Sequence, residues 1–164
     1  MVSISIKRDL YLKSMKKVIF NINPQTNVRS TQGDRIYFKI RRDKLRPEGL
    51  KRLLRLERYN EYKITLSGLA KSQKFIPPEQ GGHITFYIPV PKTWKKYKKE
   101  QYHLQLHQST PDWDNLAKAF FDSLMPQDKT IADVRVTKRW VNREKGWIEF
   151  STEIPKIPSR DNIM

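Results

Sequence analysis

The segment 115–124 constrains the fold most, because its apolar side chains recur at the spacing of a helix. The resulting stripe is formed by Leu116, Ala119, Phe120, Ser123 and Leu124. A helix with one apolar face needs a second layer against which that face is buried. We therefore expect a layered domain in which this helix packs on a β-sheet.

Four segments are predicted to supply the strands of that sheet. They are rich in β-branched and aromatic residues and cover residues 17–23, 83–90, 131–140 and 147–154. The glycine near the end of 142–146 favours a hairpin between the last two strands. Residues 35–40 are a further candidate for a short strand.

A second helix is predicted to start at Pro47, because proline suits the first turn of a helix. Leu50, Leu53 and Leu54 share one of its faces, and the helical spacing continues to Lys71. The chain of 164 residues is the length of one domain. We predict an α+β domain over 1–154, with a mixed β-sheet packed with helices, and a flexible C-terminal tail over 155–164.

The charge of the chain points to its partner. Lys and Arg number 33 against 17 Asp and Glu, which gives a net charge of +16. Nucleic acid is the first expectation, since these side chains neutralise phosphates and release counterions; an anionic membrane surface is the second. No apolar run is long enough to span a bilayer. The lack of a secretory leader and of cysteine predicts a cytoplasmic protein without disulfides or Cys-based zinc sites.

Asp112 and Asp114 are the most informative acidic residues, because they lie two positions apart in this basic chain. Side chains two apart in an extended segment point the same way and can reach one ion. A divalent cation would offset their repulsion of a polyanion, and carboxylates suit Mg²⁺, with Mn²⁺ as the alternative. Lys118 follows Asp114 by one helical turn, where it can hold a phosphate. Asp128 would complete the site if the strand after it lies beside the helix N-terminus.

The same residues also have a purely structural interpretation, which their spacing leaves open. An aspartate before a helix is commonly an N-cap. Asp114 and Lys118 have the spacing of an ordinary surface ion pair. Asp122, one turn beyond Lys118, is predicted either to orient that lysine or to be a surface residue.

The densest basic run, 92–99, is predicted to contact a DNA backbone. Trp94 and Tyr97 are interleaved with its lysines, so one of these rings could stack on an unpaired base. The alternative is a solvated helix face with one buried aromatic side chain. The predicted DNA-binding residues are Arg29, Lys92, Lys95, Lys96, Lys98, Lys99 and Lys118.

Three stretches resemble the RusA family of Holliday-junction resolvases, which includes many phage and prophage members. The central stretch reads Pro-Asp-Trp-Asp-Asn-Leu over 111–116, followed by Lys118 and a helix that ends in Asp-Ser-Leu. The stretches 88–96 before it and 128–138 after it also resemble the family. The N-terminal third of the chain is similar only in outline.

The resemblance implies a homodimeric, Mg²⁺-dependent endodeoxyribonuclease that recognises four-way DNA junctions in recombination and repair and nicks two strands symmetrically. It also implies that Asp112, Asp114 and Asp128 are catalytic metal ligands and that Lys118 is the catalytic lysine. Two positions depart from the family pattern. Gln127 replaces the first of two paired acids, and Thr110 stands where members often carry lysine. Both departures bear on metal affinity and rate.

Two other classes of function stay open on the sequence alone. One is a non-catalytic nucleic-acid-binding protein, such as a phage DNA-packaging protein, which the charge by itself would support. The other is a nuclease of different specificity, for flaps or plain duplex. Metal-dependent cleavage separates the nucleases from the binding protein. The sequence assigns no role to the basic segment 41–58.

Overall fold

The structure, a computed structural model, describes residues 17–78, 80–127 and 129–152. Within these ranges the strands are β1 (Lys17–Phe20), β2 (Gly82–Pro89), β3 (Val134–Val141) and β4 (Trp147–Ser151). They form one sheet in the order β1-β4-β2-β3. β4 is antiparallel to β1 and to β2, whereas β2 and β3 are parallel. The mixed sheet predicted from the sequence is confirmed.

Three α-helices accompany the sheet in the described part of the chain: α1 (Pro47–Ser72), α2 (Lys96–Tyr102) and α3 (Trp113–Leu124). α1 and α3 pack against each other, α1 also meets β1, and α3 also meets β3. The fold is therefore α+β, as expected. None of the described helices has the length and apolar character needed to cross a membrane.

Phe120 of α3 lies at the centre of the core and is fully buried. Its ring is 5.7 Å from that of Phe20 in β1, 6.5 Å from that of Phe86 in β2 and 6.4 Å from that of Phe150 in β4, measured between centroids. Burial of each such ring contributes about 1.5–3 kcal/mol. These contacts fix α3 on three strands, and they therefore fix the position of its first turn.

The predicted hairpin between the last two strands is wrong. β3 and β4 are not neighbours, because β2 lies between them. The loop 142–146 instead crosses the end of β2. There Gly146 comes so close to the Tyr87 carbonyl that a side chain would collide with it, and Pro89 would also be in tight contact. This close approach of backbones, and not a tight turn, explains the glycine.

The candidate strand at 35–40 is also wrong, since Gln32–Ile36 forms a 3-10 helix that runs into a turn. Asp34 accepts a hydrogen bond from the Thr31 N–H at 2.7 Å and pairs with Arg52 of α1 at 2.7 Å. These bonds stabilise a turn around a buried carboxylate, and they override the β-propensity of the apolar residues that follow. The predicted tail, 155–164, lies outside the described residues.

Candidate active site

The first turn of α3 carries the predicted acidic pair on its surface. Asp112 is the N-cap residue, Asp114 lies in the first turn, and Lys118 follows one turn later. All three side chains are exposed. The positive end of the helix dipole favours negative charge at this position. That field lowers the electrostatic cost of having two carboxylates at the start of the helix.

Neither acid has the structural role that its spacing suggested. Asp112 makes no capping hydrogen bond with its side chain. Asp114 forms no ion pair with Lys118, or with any other cation in the described ranges. The Lys118 ammonium also lacks an acidic partner among those residues. The two carboxylates and the lysine are therefore available to groups from outside the chain.

A second lysine, Lys138 of β3, holds the loop that leads into the acidic pair. Its Nζ donates hydrogen bonds to the carbonyl oxygens of Ser109 at 2.7 Å and Pro111 at 2.6 Å. Its own carbonyl accepts a hydrogen bond from the His107 N–H at 3.0 Å. Partial burial lowers the pKa of Lys138, and the nearby Asp112 carboxylate opposes that effect. Lys138 thus fixes the backbone just before Asp112 and adds positive charge beside it.

The strand register explains how Lys138 reaches this loop. Lys138 pairs with the core residue Phe86 of β2, so its side chain leaves β3 on the helix side of the sheet. It shares that side with Val134, Val136 and Trp140, and β3 is an edge strand. Lys138 occupies a position at which the alternation of the strand predicts an apolar residue. That exception is the sequence signal that would have identified Lys138.

Stacked rings join α2 to β3 beside the same loop. His107 lies on Trp140 with 3.6 Å between ring centroids, and Trp140 contacts Trp94 at 5.1 Å. Trp94 in turn contacts Tyr102 of α2 at 5.1 Å. Burial and the charge of Lys138 lower the pKa of His107, so this ring is neutral near pH 7. Trp94 is partly buried by these contacts, so it is the aromatic side chain of the basic run that packs within the protein.

Two other aromatic side chains, one in α2 and one in α3, are exposed. Tyr97 has 67% of its surface accessible and Trp113 has 58%. Trp113 lies between Asp112 and Asp114 in the sequence, at the start of α3. Stacking on an exposed ring is the sequence-tolerant way in which proteins hold unpaired bases. Tyr97 is thus the ring of the basic run that is free to stack, and Trp113 is a second one that the sequence reasoning did not single out.

The lysines predicted to bind DNA differ in what they contact. The Nζ of Lys98 lies 4.2 Å from the centre of the Trp94 ring. Lys99 donates a hydrogen bond to the backbone carbonyl of Lys92 at 3.0 Å. Both are partly buried, and both stabilise the turn that leads into α2. The exposed side chains of the predicted set are Arg29, Lys92, Lys95, Lys96 and Lys118.

Asn27 joins the loop 25–28 to α1 and α3. Its backbone N–H donates to the Asn115 carbonyl at 3.0 Å. Its side-chain amide donates to Asp122 Oδ2 at 2.6 Å and to the Tyr59 hydroxyl at 3.1 Å. Asp122 is therefore bound to Asn27, a role that neither sequence interpretation foresaw. Burial and the Asp122 carboxylate raise the pKa of Tyr59.

Asp128 lies outside the described residues, so its convergence with Asp112 and Asp114 stays a prediction. Within the described ranges there is no group of three acidic or histidine side chains that could hold a metal. The acidic pair, Asp112 and Asp114, fits Mg²⁺. Both side chains offer carboxylate oxygens without a hydrogen-bond or ion-pair partner in the described ranges, at the positive end of a helix.

Free carboxylates beside lysines on a basic α+β domain are typical of enzymes that cleave phosphodiesters. Comparison with protein-family models matches residues 36–149 to endodeoxyribonuclease RusA. The matched range includes most of the chain, from the turn before α1 into β4, and contains the whole of α3. The chain therefore belongs to the RusA family of endodeoxyribonucleases. Neither the search of curated proteins nor the search of solved structures gave a match.

The family assignment confirms the predicted enzyme class and the resemblance to Holliday-junction resolvases. It gives no support to the alternative of a non-catalytic packaging protein.

Proposed function

We propose that this protein is a Mg²⁺-dependent Holliday-junction resolvase that works as a homodimer and makes two symmetric nicks. The observation that carries the proposal is the uncommitted state of Asp112, Asp114 and Lys118. The chain holds 33 basic side chains, so partners for these acids are abundant. Acids that remain unpaired in such a chain are suited to a cation from solution.

Each residue has a distinct part in the proposed reaction. Asp112 and Asp114, together with Asp128, would hold the cation. A bound Mg²⁺ would supply an activated water and positive charge opposite the scissile phosphate. Lys118 binds a non-bridging oxygen of that phosphate and stabilises its developing charge. Lys138 keeps the loop before Asp112 in place.

The proposed dimer follows from the symmetry of the substrate. A four-way junction has approximate two-fold symmetry, and an isologous pair of subunits has the same symmetry. The proposed site uses one set of acids from each chain, so paired nicks require two copies. The exposed lysines of 92–96 and Arg29 would hold the arms through their phosphates.

The deciding experiment compares a synthetic four-way junction with linear duplex and with a flap substrate, with and without Mg²⁺. We expect cleavage of the junction only with the metal, and no cleavage by the Asp114→Asn variant. Preferred cleavage of the flap or the duplex would replace the proposal with a nuclease of different specificity. Light scattering and a cruciform plasmid test the dimer. A monomer that makes single, uncoupled nicks would contradict paired cleavage.

A further inference from the structure

The arginines of α1 fall into two groups with different surroundings. Arg52 pairs with the buried Asp34, with hydrogen bonds of 2.9 and 2.7 Å from its Nε and Nη2. Arg55 and Arg58 are exposed and have no ion pair or hydrogen bond with any residue that the structure describes. They are three positions apart, so they are neighbours on one face of the helix. Two adjacent unpaired guanidinium groups are suited to an oxyanion, which they can bind in a bidentate manner.

Arg55 and Arg58 border a narrow cleft of about 50 Å³ between α1 and the loop 25–28. The other lining residues are Gln25, Thr26, Val28 and Tyr59. The loop side therefore adds an amide and a hydroxyl, which are neutral hydrogen-bond donors. Cationic and neutral donors together are the groups that proteins use to bind backbone phosphates of DNA.

The loop that forms this cleft is held at two points. Arg52 Nη2 donates to the carbonyl of Arg29 at 2.6 Å, which fastens the residue directly after the loop to α1. Asn27, in the middle of the loop, donates to the Tyr59 hydroxyl at 3.1 Å. A cleft whose two walls are already fixed loses little conformational entropy when it binds a ligand.

The same loop lies against the catalytic helix. Asn27 bonds to the backbone of Asn115 and to the side chain of Asp122, which are seven positions apart on α3. Lys118 falls between these two residues on the same helical face. The cleft is thus separated by one loop from the face of α3 that carries the catalytic lysine.

Resting on the proposed function, we infer that this cleft binds one backbone phosphate of the strand that enters the active site. The phosphate lies a few nucleotides from the scissile one, and Arg55 and Arg58 are its main ligands. The contact positions the strand without reading its sequence. It also gives a role to the end of the basic segment 41–58.

The test measures binding on an Asp114→Asn background, where cleavage does not interfere. Single phosphates on either side of the scissile position are replaced in turn by neutral methylphosphonates. With native arginines, we expect about a tenfold loss of affinity at one position or two adjacent positions, because a charge-assisted contact is removed. The additional change Arg58→Ala should abolish that loss, since the interaction is then already absent.

Lys71→Ala provides the matched control. Lys71 also lies on α1, is exposed and has no ion pair among the described residues. It is about 20 Å along the helix from Arg58, at 1.5 Å per residue, and its removal changes the net charge equally. This variant should keep the position-specific loss and the salt dependence of binding. The double change Arg55→Ala with Arg58→Ala should lower the salt slope by about 1–2.

The outcomes separate this inference from the proposed function. If Arg58→Ala keeps the position-specific loss, or if it behaves as Lys71→Ala does, the cleft does not bind a phosphate. If the protein with native arginines binds junctions no better than duplex, the proposed junction specificity fails instead. The methylphosphonate series on duplex then still tests the cleft.

Discussion

Asp34 and Asp114 are acids of the same strongly basic chain in opposite surroundings. Asp34 is 4% exposed and accepts hydrogen bonds from Arg52 and the Thr31 N–H, which hold the pKa of its carboxyl well below the ordinary value. Asp114 is exposed and has no partner in the described ranges. Cations are plentiful enough to pair with both. The contrast therefore separates an acid that fastens a loop from an acid that is left open for a ligand.

Two lysines beside the site show the same contrast. Lys138 donates to two backbone carbonyls of the loop before Asp112. Lys118 is exposed on α3 and has no described partner. The committed lysine is a positioning residue, and the free lysine is the one suited to contact substrate. Each of the following predictions tests one side of this division.

The largest effect is expected from Asp114→Asn. This change removes a ligand of the proposed cation, whose stabilisation of the transition state is worth several kcal/mol. Junction cleavage should fall about a thousandfold or more, while junction binding is retained. The control is Asp34→Asn, which should lower the melting temperature and leave cleavage at a permissive temperature nearly unchanged. Equal losses of cleavage in the two variants would show that Asp34 and Asp114 do not differ in function.

A smaller loss of cleavage is expected from Lys138→Met, because Lys138 affects the reaction only through the position of Asp112. The Mg²⁺ concentration needed for half-maximal cleavage should rise about 10–100-fold, as is usual when the support of a metal ligand is removed. Lys118→Met should instead lower the maximal rate at saturating Mg²⁺. Rate measurements over a Mg²⁺ titration distinguish the two results. Lys138→Arg should restore part of the metal affinity. If Lys138→Met needs the same Mg²⁺ concentration as the native protein, Lys138 does not position the site.

The part of the molecule that the sequence predicts is the part that depends on local patterns. The apolar stripe of α3 and the β-branched and aromatic residues of β2 are each properties of a single element, and both elements are found in the structure. The acidic pair was recognisable because its residue types and spacing form a motif. The order of the strands could not be predicted in this way, since it depends on which strand lies between β3 and β4.

The misassigned and overlooked residues depend on partners that are distant in sequence. Asp34 pairs with a residue 18 positions away, and Asn27 bonds to a residue 95 positions away. Lys138 reaches its loop only because of the register between β2 and β3. These contacts follow from tertiary packing, which overrides local propensity.

Magnesium is expected to stabilise the fold through the open acids and not through the paired one. At ten times the dissociation constant, a ligand that binds only the folded state adds about 1.4 kcal/mol to the free energy of unfolding. This gain should be present in the native protein and in Asp34→Asn, and absent in Asp114→Asn. Thermal melts with Mg²⁺, and with Ca²⁺ as a second divalent ion, measure it. A gain that persists in Asp114→Asn would assign the cation to another site.

The smallest effect is the acid dependence of stability that arises from Asp34. Its pKa in the folded state is lowered from 3.8, chiefly by the hydrogen bonds from Arg52. The stabilisation is therefore complete above the unfolded pKa. It is lost as the pH falls below about 4, because the unfolded state then binds a proton that the folded state does not.

Urea unfolding between pH 6 and pH 3 should show that the stability advantage of the native protein over Asp34→Asn shrinks in this window. Arg52→Met, which removes the cause of the shift, should lose less stability with acid than the native protein. A constant difference between the native protein and Asp34→Asn across that range would mean that the Asp34 carboxylate does not stabilise the fold through its charge.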